Sequence, residues 1–144
     1  MGFLGIDMAF PIIHQRITIV RIRKPVKDSL NDDLQWFGNS LGLFNLRDKD
    51  RSCFRIFIEL LKSTKQNRPL TSDEIAFKTG LSRGTVVHHL TKLIDAGIVI
   101  HDKSRYILRV SKLEAVVDEI QKDLLRTCDD LRQVAREIDG KLEF

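Results

Sequence analysis

Two short helical patterns stand in the middle of the chain with a break of only a few residues between them, and this spacing constrains the fold more than any other feature. Thr71 and Glu74 have the spacing of a capping box, in which the hydroxyl accepts from the third backbone N–H and the carboxylate accepts from the N–H of the cap. Gly80 favours the left-handed conformation that ends helices, and Ser82 is a good N-cap. The sequence therefore predicts a short helix that ends at Gly80 and a second helix over about 82–96.

The second predicted helix has one apolar face and one polar face. The apolar face consists of residues at helical spacing: Val86, Leu90, Leu93 and Ile94. The polar face carries Arg83, Thr85, His88, His89 and Lys92. Because the turn between the helices is short, they must cross steeply while they share a core, and this arrangement is a helix-turn-helix.

A β-hairpin is predicted directly after the second helix. Residues 98–100 form a β-favouring apolar run, and residues 106–110 alternate apolar side chains on one face. Residues 101–105 contain turn-forming residues, and Lys103 and Arg105 make this turn basic.

Two further helical patterns precede the capping box. Residues 51–61 place apolar side chains at helical spacing, with Asp48 or Asp50 as the cap: Phe54, Phe57, Ile58 and Leu61. Residues 31–44 form a denser apolar pattern that Gly38 and Gly42 interrupt. Its two adjacent aromatic residues, Trp36 and Phe37, either pack against another helix or line a ligand pocket.

A first helix, two crossing helices and a hairpin together make the winged-helix arrangement. A resemblance to the ArsR and MarR-like families of transcription regulators rests on TSDEIAFKTGLSRGTVVHHLTKLIDAGIV and the hairpin after it. The positions at which this sequence agrees with those families are Leu81-Ser82, Thr85-Val86, His89-Leu90 and 93–97. The resemblance implies a mainly α fold with a small β-hairpin, in which a winged helix-turn-helix domain over 29–110 binds double-stranded DNA.

The recognition helix of such a domain meets the major groove with its N-terminal residues. The candidate DNA-contacting residues are Thr71, Ser82, Arg83, Gly84, Thr85, Val87, His88 and Lys92, together with Lys103 and Arg105 in a basic wing at 101–109 on the DNA backbone. A guanidinium at Arg83 can bond guanine O6 and N7 together, and Val87 can contact a thymine methyl group. Gly84 either admits a close approach of the DNA backbone or is a tolerated glycine.

The charge distribution leaves more than one kind of partner open. Residues 49–112 carry thirteen Lys or Arg against six Asp or Glu, whereas residues 113–144 carry five against nine. A basic middle fits a polyanionic partner, although a solvated basic face is also common. Some winged helices bind only protein, so the alternative function is a protein–protein assembly module without sequence-specific DNA binding.

The two ends of the chain carry separate patterns. The segment QRITIVRIRKP, within an N-terminal strand or arm at 1–28, predicts either an edge strand that pairs across a dimer or a basic arm on DNA. Residues 111–144 predict one long helix whose seam would pair with a second copy in a homodimer. The candidate dimerisation residues are Leu113, Val117, Ile120, Leu124, Leu131, Val134 and Ile138, with Thr127 as the one break in the seam.

Several function classes have no supporting motif. The chain has no glycine-rich phosphate loop, nucleophile elbow or convergent His, Asp and Glu set, so we expect no enzyme and no cofactor. We also expect no metal, because the chain lacks the paired cysteines that ArsR-type metal sensors carry; Cys53 and Cys128 are expected to be reduced thiols. The sequence does not indicate whether the protein binds a small-molecule effector.

Compartment and membrane association are read from the apolar runs. No run approaches the roughly 18 apolar residues of a membrane span. The first residues, MGFLGIDMAFPII, have neither a basic stretch before their apolar residues nor a clear cleavage site. We therefore expect a cytoplasmic protein without a membrane partner.

Overall fold

The computed structural model describes residues 14–26, 29–44 and 51–142. The elements in these ranges are α1 (Leu30–Ser40), α2 (Ser52–Lys65), β1 (Leu70–Thr71), α3 (Ser72–Thr79), α4 (Arg83–Asp95), β2 (Val99–Asp102), β3 (Arg105–Leu108) and α5 (Leu113–Leu142). The chain divides into two compact units, residues 1–111 and residues 112–144. The predicted fold class is confirmed: a winged helix-turn-helix with a small antiparallel sheet, followed by a long helix.

The core of the first unit contains only some of the apolar residues that the helical spacing predicted. Phe54, Ile58, Leu61 and Ile94 are half-buried, and Ile56 and Leu60 of α2 are buried instead. Phe57 of α2 and Val86, Leu90 and Leu93 of α4 are each at most 1% exposed. Burial of an aliphatic or aromatic side chain of this size stabilises a fold by about 1.5–3 kcal/mol relative to its exposure. The apolar face of α4 therefore fixes which side of this helix points outward.

Helix α1 is shorter than predicted and ends at Ser40, with Gly42 at φ +70° in the turn that follows. Gly38 is buried, and a Cβ at this position would collide with the ring of Phe44. The same ring packs edge-on against Phe54 of α2 at a centroid distance of 5.2 Å. The glycine is thus required by the close packing of α1 against an aromatic cluster.

Helix α2 begins without a side-chain cap. Its N-cap residue is Arg51, which has a left-handed backbone at φ 52° and whose guanidinium lies 4.6 Å from the centroid of the Phe54 ring. Asp48 and Asp50, which were predicted as caps, lie outside the described residues. A cation–π contact between Arg51 and Phe54 is thus present at the start of this helix.

The sheet has three strands in the order β1-β3-β2. Strands β2 and β3 form the predicted hairpin and pair His101 with Tyr106. Strand β1 pairs Leu70 with the same tyrosine, and it was not predicted because two residues show no alternation. Thr64 of α2 accepts a hydrogen bond from Leu108 N at 3.1 Å, which ties the hairpin to the helical core.

The N-terminal arm, defined here as residues 14–26, does not form the predicted strand. Arg16 N instead donates to Asp95 O at 2.8 Å, and Val20 N donates to Ser40 O at 2.7 Å. Both acceptors lie at the C-terminal ends of helices, where carbonyl groups have no partner within the helix. Within the single chain the backbone of the arm thus bonds to helix ends and not to another strand, and its pairing across a dimer stays a prediction.

Helix α5 is one continuous helix of 30 residues, as the heptad pattern predicted. Among the described residues, no helix is both long enough and apolar enough to cross a membrane.

Candidate nucleic-acid interface

The short helix α3 is fixed at both ends by hydrogen bonds. Thr71 N donates to Glu74 Oε1 at 3.0 Å and Glu74 N donates to Thr71 Oγ1 at 3.1 Å, which completes the predicted capping box. At the other end Gly80 has φ +70°, and Arg55 of α2 donates to Thr79 O. These contacts hold the turn from which α4 starts.

Helix α4 begins at its predicted N-cap. Ser82 Oγ accepts from Thr85 N at 3.2 Å and donates to Thr85 Oγ1 at 2.8 Å. The exposed residues of its first turns make up what we call the recognition face: Ser82, Arg83, Gly84, Val87 and His88. Thr91 is exposed one turn farther along and extends this face, although the sequence did not single it out. Most of the α4 residues that were predicted to contact DNA thus lie on one surface.

Arg83 has an acidic neighbour on α3. Its Nε lies 3.4 Å from Asp73 Oδ1, and the two side chains are 73% and 72% exposed. An ion pair between such exposed groups contributes little to stability. The guanidinium can therefore exchange this carboxylate for another anion at small cost.

Gly84 is not required by the packing of the domain. A Cβ at this position would meet no atom within 4 Å. The glycine therefore leaves open space on the recognition face, in contrast to Gly38, where a Cβ would collide with an aromatic ring.

Two predicted DNA contacts have partners inside the domain. Lys92 Nζ donates to Leu43 O at 3.0 Å, so its ammonium group joins α4 to the segment after α1. The hydroxyl of Thr71 accepts the capping hydrogen bond of α3. Both groups stabilise the framework of the interface.

The wing has a tight two-residue turn. Lys103 and Ser104 have φ values of 51° and 67°, as in the type I′ turns that suit hairpins. The rings of His101 and Tyr106 stack across the strands at a centroid distance of 4.3 Å. Lys103 is exposed at the end of this stiffened hairpin.

Arg105 lies at the start of β3, directly after the turn of the wing, and contacts α3. Its Nη1 donates to Pro69 O at 3.2 Å and lies 3.4 Å from Glu74 Oε1. Hydrogen bonds from the backbone and side chain of Thr71, together with the charge of Arg105, hold the pKa of Glu74 below its ordinary value of 4.5. One carboxylate thus caps α3 and anchors the wing.

Residues 58–101 match a family model described as bacterial regulatory protein, arsR family. This range extends from the middle of α2 into β2 and covers both helices of the helix-turn-helix. The segment is an ArsR-type winged helix-turn-helix. Such a domain binds DNA in transcription regulation, and its family is regulatory and not enzymatic. Comparison with curated proteins and with solved structures finds no match. The MarR-like part of the resemblance stays a prediction.

A groove beside α4 was not foreseen from the sequence. Arg16 and Thr18 of the N-terminal arm line a cavity of about 440 Å³ together with residues of α4 that include His88, Thr91 and Lys92. The groove therefore adjoins the recognition face of the ArsR-type domain. No local pattern could reveal it, because it joins segments that are distant in the chain.

Helix α5, which follows the ArsR-type domain, is unevenly exposed along the predicted seam. Ile120 is buried, and Leu113 and Leu124 are half-buried. Exposed seam residues are Val117 at 44%, Leu131 at 65%, Val134 at 52% and Ile138 at 50%. Every residue over 129–142 is exposed, including Leu142, which the sequence did not single out. The C-terminal half of α5 thus presents an apolar stripe to solvent.

Within the described ranges, no three His, Cys, Asp or Glu residues are grouped so that they could hold a metal ion. The rings of His88 and His89 meet edge-on at a centroid distance of 5.3 Å. Cys53 is buried and Cys128 is half-buried.

Proposed function

We propose that the chain is a homodimeric transcription regulator that binds double-stranded DNA sequence-specifically, with α4 in the major groove and the wing on the DNA backbone. The observation that carries this proposal is the contrast between the two faces of α4. Val86, Leu90 and Leu93 are at most 1% exposed on one face. The recognition face is open at the N-terminal end that recognition helices use for base contacts.

Each part of the interface has a role in this proposal. Arg83 leaves Asp73 and bonds a guanine edge, while Val87, 41% exposed, contacts a thymine methyl group. Ser82, Thr85 and His88 supply hydrogen bonds to bases or nearby phosphates, and Lys103 contacts the backbone. Lys92 and Thr71 mainly position α4 and α3.

The homodimer is proposed from the exposed half of α5. A stripe of Leu131, Val134, Ile138 and Leu142 at helical spacing is the surface that a second copy of the helix would cover. Two linked domains raise the effective concentration for the second half-site and select the spacing between half-sites.

An Arg83→Ala variant tests the sequence specificity. On a duplex selected from a random pool we expect a loss of about 1–3 kcal/mol in binding free energy, and a smaller loss on random DNA. Arg132→Ala is the matched control, because Arg132 is also an exposed helical arginine paired with an aspartate, at 2.8 Å from Asp129. Equal losses on both duplexes would reassign Arg83 to a phosphate contact. Absence of wild-type binding at low salt would reject the proposed function.

One observation favours the alternative of a protein-assembly module. Phe77 on α3 is 90% exposed, and an exposed aromatic side chain on the helix-turn-helix could anchor a protein partner. Salt dependence separates the two functions, since DNA binding weakens steeply with salt through counterion release. Under our proposal Phe77→Ser leaves duplex affinity unchanged. The alternative gains support if the wild-type chain binds no duplex at low salt.

A further inference from the structure

The N-terminal arm carries positive charge without a balancing carboxylate. Its thirteen residues include Arg16, Arg21, Arg23 and Lys24 and no Asp or Glu. The last three of these side chains are exposed. Within the described part of the chain they form no ion pair, so they are available to an external anion.

The first half of the arm packs against two glycines that have left-handed backbones. A Cβ at Gly97, φ +77°, would collide with the side chain of Gln15, and a Cβ at Gly42, φ +70°, would lie 2.6 Å from Thr18. Gln15 Nε2 also donates to Ala96 O at 3.1 Å. The helix ends are therefore shaped to let the arm approach closely.

The second half of the arm is held by two hydrogen bonds to α1. Val20 N donates to Ser40 O at 2.7 Å, and Trp36 Nε1 donates to Ile22 O at 3.0 Å. These bonds hold the backbone on either side of Arg21. The exposed cations thus project from a positioned segment.

The arm begins beside the recognition helix. Arg16 shares the groove of about 440 Å³ with His88 and Lys92, and Asp95 is the one carboxylate among the residues lining it. A polyanion that contacts the recognition face would meet this basic groove next and then the exposed cations of the arm.

We propose that the N-terminal arm is a second DNA-contacting element, which follows the phosphate backbone flanking the site read by α4. This inference rests on the proposed function. An extended chain advances about 3.3 Å per residue, so the stretch from Arg16 to Lys24 spans at most roughly 26 Å, more than the ~12 Å width of the major groove. The arm therefore reaches phosphates that lie beyond α4.

The test compares two double variants that remove the same charge. Arg21→Ala with Arg23→Ala changes the arm, whereas Arg132→Ala with Arg136→Ala removes two exposed arginines from α5. Duplex affinity is measured as a function of salt by fluorescence anisotropy. We expect the slope of log affinity against log salt to fall by about two for the arm variant and to stay unchanged for the control. The base preference of the selected site should be retained.

Trp36 provides an independent readout, because it is the single tryptophan and donates to the arm. Duplex addition should change its emission in the wild-type chain.

Normal wild-type binding with an unchanged slope in the arm variant overturns the inference and leaves the proposed function standing. Loss of the dimer in the arm variant, seen by sedimentation with the slope unchanged, overturns it in favour of an arm that pairs between copies. A wild-type chain that binds no duplex removes both proposals.

Discussion

Replacement of Gly84 by alanine should separate the stability of the ArsR-type domain from its DNA binding. Alanine is favoured over glycine by about 0.8–1.0 kcal/mol inside a helix, and the added methyl group meets no atom within 4 Å. Gly84 lies in the first turn of α4 and not in the helix interior, so we expect a smaller gain, roughly 0.5–0.8 kcal/mol in the free energy of unfolding. The same methyl group occupies the space through which a DNA backbone would approach. Binding should therefore weaken while the fold becomes more stable.

Urea unfolding and duplex titration measure the two effects on the same variant. Gly140→Ala is the matched control, because Gly140 is also helical and exposed, and a Cβ there would likewise meet no atom within 4 Å, but it lies on α5. We expect a comparable or smaller gain in stability for the control and no change in affinity. Equal affinity of Gly84→Ala and wild type would refute the close approach and leave Gly84 as a tolerated glycine. A lower free energy of unfolding for Gly84→Ala than for wild type would refute the helix-propensity argument.

Three further predictions concern the wing, the cap of α3 and the dimer. Lys103→Ala should lower the salt slope by about one, whereas Arg105→Ala should reduce affinity with a smaller change in slope, because its guanidinium is held by Pro69 O and Glu74. The pKa of Glu74 is lowered on folding, so its carboxylate stabilises the fold above its unfolded pKa, and this contribution is lost as pH falls through the folded value. Urea unfolding of Glu74→Gln and wild type should therefore converge in stability between about pH 5 and 3, with the wild type the more stable at neutral pH. Leu124→Glu with Leu131→Glu should sediment as a monomer with a folded winged domain and bind the selected duplex much more weakly; a persistent dimer would move the interface away from α5.

Features of the helix-turn-helix that depend on nearby residues were predictable from the sequence. The capping box of α3 joins residues three positions apart, and the N-cap of α4 bonds a backbone N–H three residues later. The buried face of α4 follows from helical periodicity alone. These determinants lie within one or two turns, so their spacing in the chain is also their spacing in the fold.

Partners distant in the chain were not predictable. Lys92 and Leu43 are 49 positions apart, and Arg105 and Pro69 are 36 positions apart, so no local pattern relates them. Lys92 was predicted to contact DNA from its place on the polar face of α4, and Arg105 from its place in the wing. Neither position carries information on competing acceptors elsewhere in the chain. The hydrogen bonds of the N-terminal arm were missed for a related reason: its alternation fits a strand, but open carbonyls at the ends of distant helices accept two of its backbone N–H groups.

The distribution of cations separates the two tasks of a DNA-binding surface. Phosphate contacts position a protein on the duplex, whereas base contacts specify the sequence. The recognition face holds one permanent cation, Arg83, and the side chains of Ser82, Val87 and His88 can contact base edges. Cations without an ion-pair partner in the described ranges include Arg21, Arg23 and Lys24 of the N-terminal arm and Lys103 of the wing. If both proposals hold, changes to these cations of the arm and the wing should alter affinity for every sequence alike, and changes on the recognition face should alter which sequence is preferred.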